Sequence, residues 1–260
     1  MTEIQEKANT IPQELSIAEI RKYTKEAAPL IHCITNPISI HDCANIILAA
    51  GARPIMAEHP AEVAEITAVA SALMLNLGNI TDARIESIQR ALKEANRRKI
   101  PVLLDLVGVT CSSLRREFAR KLLADGRFAV IKGNISEILA AADLPFHGTG
   151  IDAGSQDAIS QANEARYCTT AKKLAEHLGC TVMATGKLDL IADRHQAFLI
   201  ANGHTALSGI TGTGCMVGAL TAAYLPASVA LAFTGIPAAL LAAITMGISG
   251  EHAASGSRGP

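Results

Sequence analysis

Short apolar runs alternate with stretches of helical spacing along most of the chain. LIHCIT, ending at Thr35, reads as a strand, and residues 38–50 follow with helical periodicity before Gly51 stops them. Residues 53–56 form a second short strand, and 60–70 a helix with Glu62 and Glu65 on its polar side. ALMLNLG, residues 72–78, is a continuous apolar strand of the kind buried on both faces in parallel sheets. Thr81 is placed to cap a helix reaching about Lys99. PVLLDLVG is the next strand, with Asp105 near its carboxyl end, and 115–123 is amphipathic. FAVIKGN ends a strand at Lys132 to Asn134, and SEILAAA opens a helix. Residues 163–178 are helical, with Gly179 behind them, and TVMATG is a strand. LDLIAD and QAFLIAN pair as a hairpin around Arg194 and His195.

The pattern changes in the last third. Residues 195–250 contain no Lys, Arg, Asp or Glu. A membrane span needs about 20 consecutive apolar residues. Pro226, Pro237 and several glycines divide the stretch, which predicts core helices buried on most faces, in a domain or against another subunit. The alternation upstream predicts an α/β fold, a mainly parallel central sheet with helices on both faces. Residues 1–15 read as a polar tail and 16–260 as one domain. The polar, mixed-charge start lacks the apolar stretch of a secretory signal.

Lys and Arg number 23 against 24 Asp and Glu, so nothing draws the chain to nucleic acid or an anionic membrane. Aromatic residues are 3% and Trp is absent, which argues against a base-stacking platform. None of the six cysteines forms a CxxC pair, and reduced thiols in a cytoplasmic protein are the simplest reading. Small-molecule chemistry is the expectation. In parallel sheets ligands lie outside the carboxyl ends of the strands.

ITGTGCMVGAL, residues 210–220, is the sharpest motif: a glycine-rich turn opening into an apolar helix. Helix N-termini offer unpaired N–H groups and partial positive charge, and Gly212 and Gly214 let an anion approach the backbone. Cys215 falls in the first turn. No Lys-Ser/Thr follows, so this is not a P-loop, and a dehydrogenase's glycine fingerprint is missing. A tightly packed helix start is the plain alternative. Asp105 in DLVG could hold a metal ion or cap a loop. In KGNISE, Lys132 could meet a phosphate and Glu137 could bind Mg²⁺ directly or through water; alternatively the segment is a turn with an Asn and a Ser helix cap. Thr185 could bond a phosphate or belong to a hairpin turn. Asn36 could bond an azole nitrogen or an alcohol, and Met56 suits a flat ring but equally a plain core.

HCITN, GARPIM, ALMLNLG, PVLLDLVG, IKGNISE, MATGKLDLIAD and TGTGCMVGAL occur in the order seen in hydroxyethylthiazole kinases, and the chain resembles that family over about residues 31–249. The resemblance implies a ribokinase-like fold, and a homotrimer with active sites at subunit boundaries. It implies transfer of the ATP γ-phosphoryl to the alcohol of 4-methyl-5-(2-hydroxyethyl)thiazole, for thiamine phosphate synthesis. By this likeness Met56 and Gly212 touch substrate, and Lys132 and Thr185 touch ATP; Asn36 is expected beside the substrate and Asn134 beside ATP as well. Asp105 and Glu137 match the Mg²⁺-linked carboxylates. Cys215 stands where wider relatives carry a catalytic-base Asp, with Gly212 and Gly214 beside it. The family usually reads DPVG, so Leu106 is expected to loosen the loop presenting Asp105, and SGSRGP implies that a final helix is missing. Another small-molecule alcohol kinase, or a catalytically weak nucleotide- or thiazole-binding paralogue, is the alternative.

Overall fold

In a computed structural model, residues 17–148 and 154–256 are described; the expected tail over 1–15 lies outside them. The strand-like runs all fall into one sheet of eight strands. They are β1 (Leu30–Ile34), β2 (Arg53–Ile55), β3 (Ala72–Asn76), β4 (Val102–Asp105), β5 (Val130–Asn134), β6 (Thr181–Thr185), β7 (Asp189–Ala192) and β8 (Ala197–Ile200). The order is β2-β1-β3-β4-β5-β6-β7-β8. The first six run parallel, and the expected hairpin adds β7 and β8 antiparallel at one edge.

Alternation along each strand divides the core in two. Met74, Leu103, Val130, Met183 and Ile191 face one layer, built from α1 (Ile17–Ala27), α2 (Ile40–Ala49), α8 (Thr213–Ala230) and α9 (Ile236–Gly256). Leu73, Leu75, Leu104, Ile131, Val182 and Leu190 face the other. That layer holds α3 (Val63–Val69), α4 (Asp82–Arg98), α5 (Ser113–Asp125), α6 (Ile135–Ala141) and α7 (Glu164–Leu178). Both faces of the inner strands are covered, which is why β3 is buried at every position. Thr81 caps α4 as expected, accepting from the Arg84 N–H.

The uncharged block forms α8 and α9. Pro226 does not divide it: the helix runs through the proline to Ala230. A proline deprives the helix of one N–H bond, but Leu225 and Ala227 beside it are fully buried, and that packing holds the last turn. By length and composition α8 could cross a membrane, yet 67% of it is buried inside the molecule, as in a core helix.

Candidate functional site

The sheet register draws the polar strand ends together. Asn76 pairs with Asp105, Asp105 with Lys132, and Asn134 with Thr185. Each lies two residues beyond an apolar residue of the α8-side core, or further along the same alternation, so their side chains share the α8 face. α8 aims its first turn at this row.

Lys132 is at the centre. Its ammonium lies 3.3 and 3.2 Å from the two Asp105 oxygens, with Asp105 fully buried. Burial opposes the Lys132 charge, but Asp105, then Cys215 and Glu137, outweigh it and hold its pKa above the usual value. Burial pushes the Asp105 carboxyl up, opposed by Lys132 and by N–H donors from Val107 and Asn76. The α8 tip comes close: a Cβ on Gly214 would sit 3.3 Å from the Lys132 Nζ. Gly212, at φ +90°, is the helix N-cap, and a Cβ there would be 3.1 Å from the Ser39 Cβ. No side chain caps this helix, and the N–H groups of Thr213, Gly214 and Cys215 have no partner among the described residues. A cation and an uncapped helix start thus meet at one point, which suits an anion.

α6 starts differently. Asn134 caps it and accepts from the Glu137 N–H at 2.9 Å, while Glu137 Oε2 accepts from the Asn134 N–H at 2.7 Å. Glu137 Oε1 accepts from Gly108 N–H at 2.7 Å, stitching the loop after β4 to the helix. Burial, then the Asp105 charge, push Glu137 up to about 7.

The other expected residues have these partners. Asn36 is held on both sides of its amide: Oδ1 accepts from the Ile38 and Ser39 N–H groups, and Nδ2 donates to Asn76 Oδ1 and Cys215 Sγ. The Asn134 side-chain oxygen serves the capping box. Leu106 does not loosen its loop. It is fully buried, and its N–H donates to the Lys132 carbonyl at 2.7 Å, a bond that proline could not make. Met56 is half-buried against the α8-side core. The Thr185 hydroxyl, at the mouth of β6, donates to the Gly133 carbonyl at 3.3 Å.

Sequence reasoning missed four groups. Asn76 was absorbed into an apolar strand, though an amide in such a run is itself a signal. Asp189 accepts from the Gly186 N–H at 2.9 Å, and burial pushes it up to about 6, against the Lys132 charge. Arg84, 5% exposed, donates to the Thr35 carbonyl and lies 3.9 Å from Glu58, tying together the ends of β1 and β2. Asp157 accepts from Ser136 at 2.6 Å and from the His147 N–H at 2.7 Å, pinning the chain after α6 onto that helix. Two surface cavities, of about 450 Å³ beside Phe146 and about 480 Å³ beside Tyr224, lie apart from the polar row. The row is therefore identified by its chemistry. Among the described residues no three His, Cys, Asp or Glu side chains form a metal-binding group.

A hydroxyethylthiazole kinase family model matches residues 21–260. A protein named hydroxyethylthiazole kinase 2 from Clostridium botulinum is 48% identical over 233 residues, covering 90% of this chain and 86% of that protein. A structure titled as a hydroxyethylthiazole kinase from Pyrococcus horikoshii OT3 superposes with a TM-score of 0.81 at 31% identity, covering 94% of this chain and 87% of that one. A ribokinase-like superfamily protein from Enterococcus faecalis V583 shares the fold, with a TM-score of 0.64 at 13% identity over 97% of this chain and 93% of that one. Matched over nearly its whole length in sequence and in fold, this chain belongs to the hydroxyethylthiazole kinase family.

Proposed function

We infer that the chain transfers the terminal phosphoryl group of ATP to the primary alcohol of 4-methyl-5-(2-hydroxyethyl)thiazole, giving the phosphate ester used in thiamine phosphate synthesis. The observation that carries this reading is the uncapped α8 tip beside the buried Lys132 ammonium. Phosphoryl transfer asks a protein mainly for positioning and for charge stabilisation. The N–H groups of Thr213, Gly214 and Cys215 hold the equatorial oxygens of the moving group as charge shifts onto them. Lys132 and Thr185 steady the nucleotide. Met56 and the apolar face of α8 receive the thiazole ring, and the Cys215 sulfur stands beside the alcohol.

The hard oxygens of Asp105 and Glu137 suit Mg²⁺, and their charges already act on one another. Every one of those oxygens accepts an N–H, so the pair would hold the ion through its water shell. When bound with ATP, the ion neutralises phosphate charge.

Ile38 and Ile210, 62% and 46% exposed, flank Ser39 and Gly212 and leave an open apolar rim on the site. That rim supports a homotrimer whose neighbouring subunit completes the site; by its likeness to the family the enzyme is assigned to the cytoplasm. Coupled ADP release tests the assignment, with the thiazole alcohol compared with a pyrimidine alcohol and with sugars. Turnover is expected with the thiazole alone; preference for another alcohol, or no ADP at all, overturns it.

A further inference from the structure

We propose that Asn76 is a positioning residue that couples the phosphate end of the site to its acceptor end, donating from one amide nitrogen to both Asp105 and Cys215. This rests on the kinase reading of the site. Asn76 is the last residue of β3 and is fully buried. Its amide orientation is set by the backbone: the Gly78 N–H donates to Oδ1 at 2.9 Å, and Asn36 Nδ2 donates to the same oxygen at 3.1 Å. Nδ2 must then face the other way, where it lies 3.1 Å from Asp105 Oδ2 and 3.3 Å from Cys215 Sγ. Asn36 is fixed likewise by the Ile38 and Ser39 N–H groups, and its Nδ2 lies 3.2 Å from the same sulfur.

Two amide donors of fixed direction thus converge on Cys215. The sulfur is the acceptor in both contacts, so any proton it carries points away from the amides. Asp105, which anchors Lys132, is held by the same nitrogen that holds the sulfur. A shift of β3 would therefore move the phosphate-binding cation and the sulfur together. A purely structural amide would satisfy its own buried valences without linking these two ends.

Asn76→Asp tests this. It preserves shape and keeps an oxygen for Gly78 and Asn36, but removes both donors; because it also sets a carboxylate beside Asp105, the uncharged Asn76→Ala is measured with it and must show the same changes. Its kcat is expected to fall about 10- to 100-fold, as for lost supporting contacts around a reacting group, with KM for ATP and for the thiazole alcohol changed less than about threefold. At fixed pH the iodoacetamide alkylation rate of Cys215, followed on its peptide by mass spectrometry, is expected to drop severalfold, while the exposed Cys111 reacts unchanged. A folded variant with unaltered kcat or unaltered Cys215 alkylation overturns the proposal. If the wild type makes no ADP with the thiazole, the kinase reading fails, and the alkylation comparison still decides whether Asn76 governs the sulfur. If Asn76→Asp does not fold, Asn76→Ala and Cys215→Ala are measured singly and together. A double loss in kcat well below the product of the single losses supports coupling through the sulfur; multiplying losses contradict it.

Discussion

Two helices begin at glycine-bearing segments of this site, and they treat their first N–H groups in opposite ways. α6 follows Gly133 and closes on itself: Asn134 and Glu137 exchange hydrogen bonds in a capping box. α8 follows Gly212, whose left-handed backbone supplies no side-chain cap. The same physics of unpaired N–H groups applies to both. At α6 the chain answers it and gains a rigid joint between β5, the loop after β4 and the helix. At α8 it is left for a ligand, next to the Lys132 charge. A glycine before a helix therefore does not mark an anion site by itself; the chemistry of the cap decides.

Lys132 serves both helix starts, and its loss carries the largest expected effect. Lys132→Met leaves buried Asp105 without its counter-charge, and urea unfolding should show a loss of about 3–5 kcal/mol, with activity abolished. Asp105→Leu in the same chain should recover much of the stability but none of the activity.

Gly214→Ala separates chemistry from folding. Its backbone is not in the left-handed region, but the new methyl crowds Lys132 and the phosphate path. The N–H donor is kept, so kcat/KM is expected to fall about 100-fold, the scale of a misplaced reacting group, with Tm unchanged or slightly raised.

The third effect belongs to the α6 side. Glu137 is raised in the folded state, so the folded protein holds its proton more tightly than the unfolded chain does. The stability this confers is full below the ordinary carboxylate range and is lost as pH rises through about 7. Nucleotide-free protein should lose Tm as pH rises across that window, and Glu137→Gln should flatten the slope. An unchanged slope would mean that Asp105 or Asp189 carries it.

The smallest effect concerns the joint between β4 and β5. Leu106→Pro removes the N–H bond to the Lys132 carbonyl and should cost about 1 kcal/mol in urea unfolding, with little change in KM.

The fold was largely legible because apolar alternation fixes which strand faces are buried, and Thr81 and Gly179 mark helix ends by plain local chemistry. Pro226 misled because its local cost is overridden by burial along α8, which only tertiary packing reveals. Within the site, Asp105, Lys132, Gly212, Gly214 and Cys215 could be found as residues just beyond strands or at a glycine turn. Their partners could not. Asn76 and Asp189 acquire meaning only through the register that brings four strand ends onto one face. Asn36 was identified, and its bonds from Ile38 and Ser39 are local, but its amide nitrogen donates to Asn76 and Cys215, 40 and 179 residues away.

The most direct test is calorimetric binding of a non-hydrolysable ATP analogue to wild type, Gly214→Ala and Asn134→Ala. An open α8 tip and a self-satisfied α6 tip predict that Gly214→Ala weakens binding about tenfold or more, while Asn134→Ala loses about 1 kcal/mol of stability and binds nearly as wild type. Strong loss of binding in Asn134→Ala, with Gly214→Ala unaffected, would place the phosphates at the wrong helix and contradict the account.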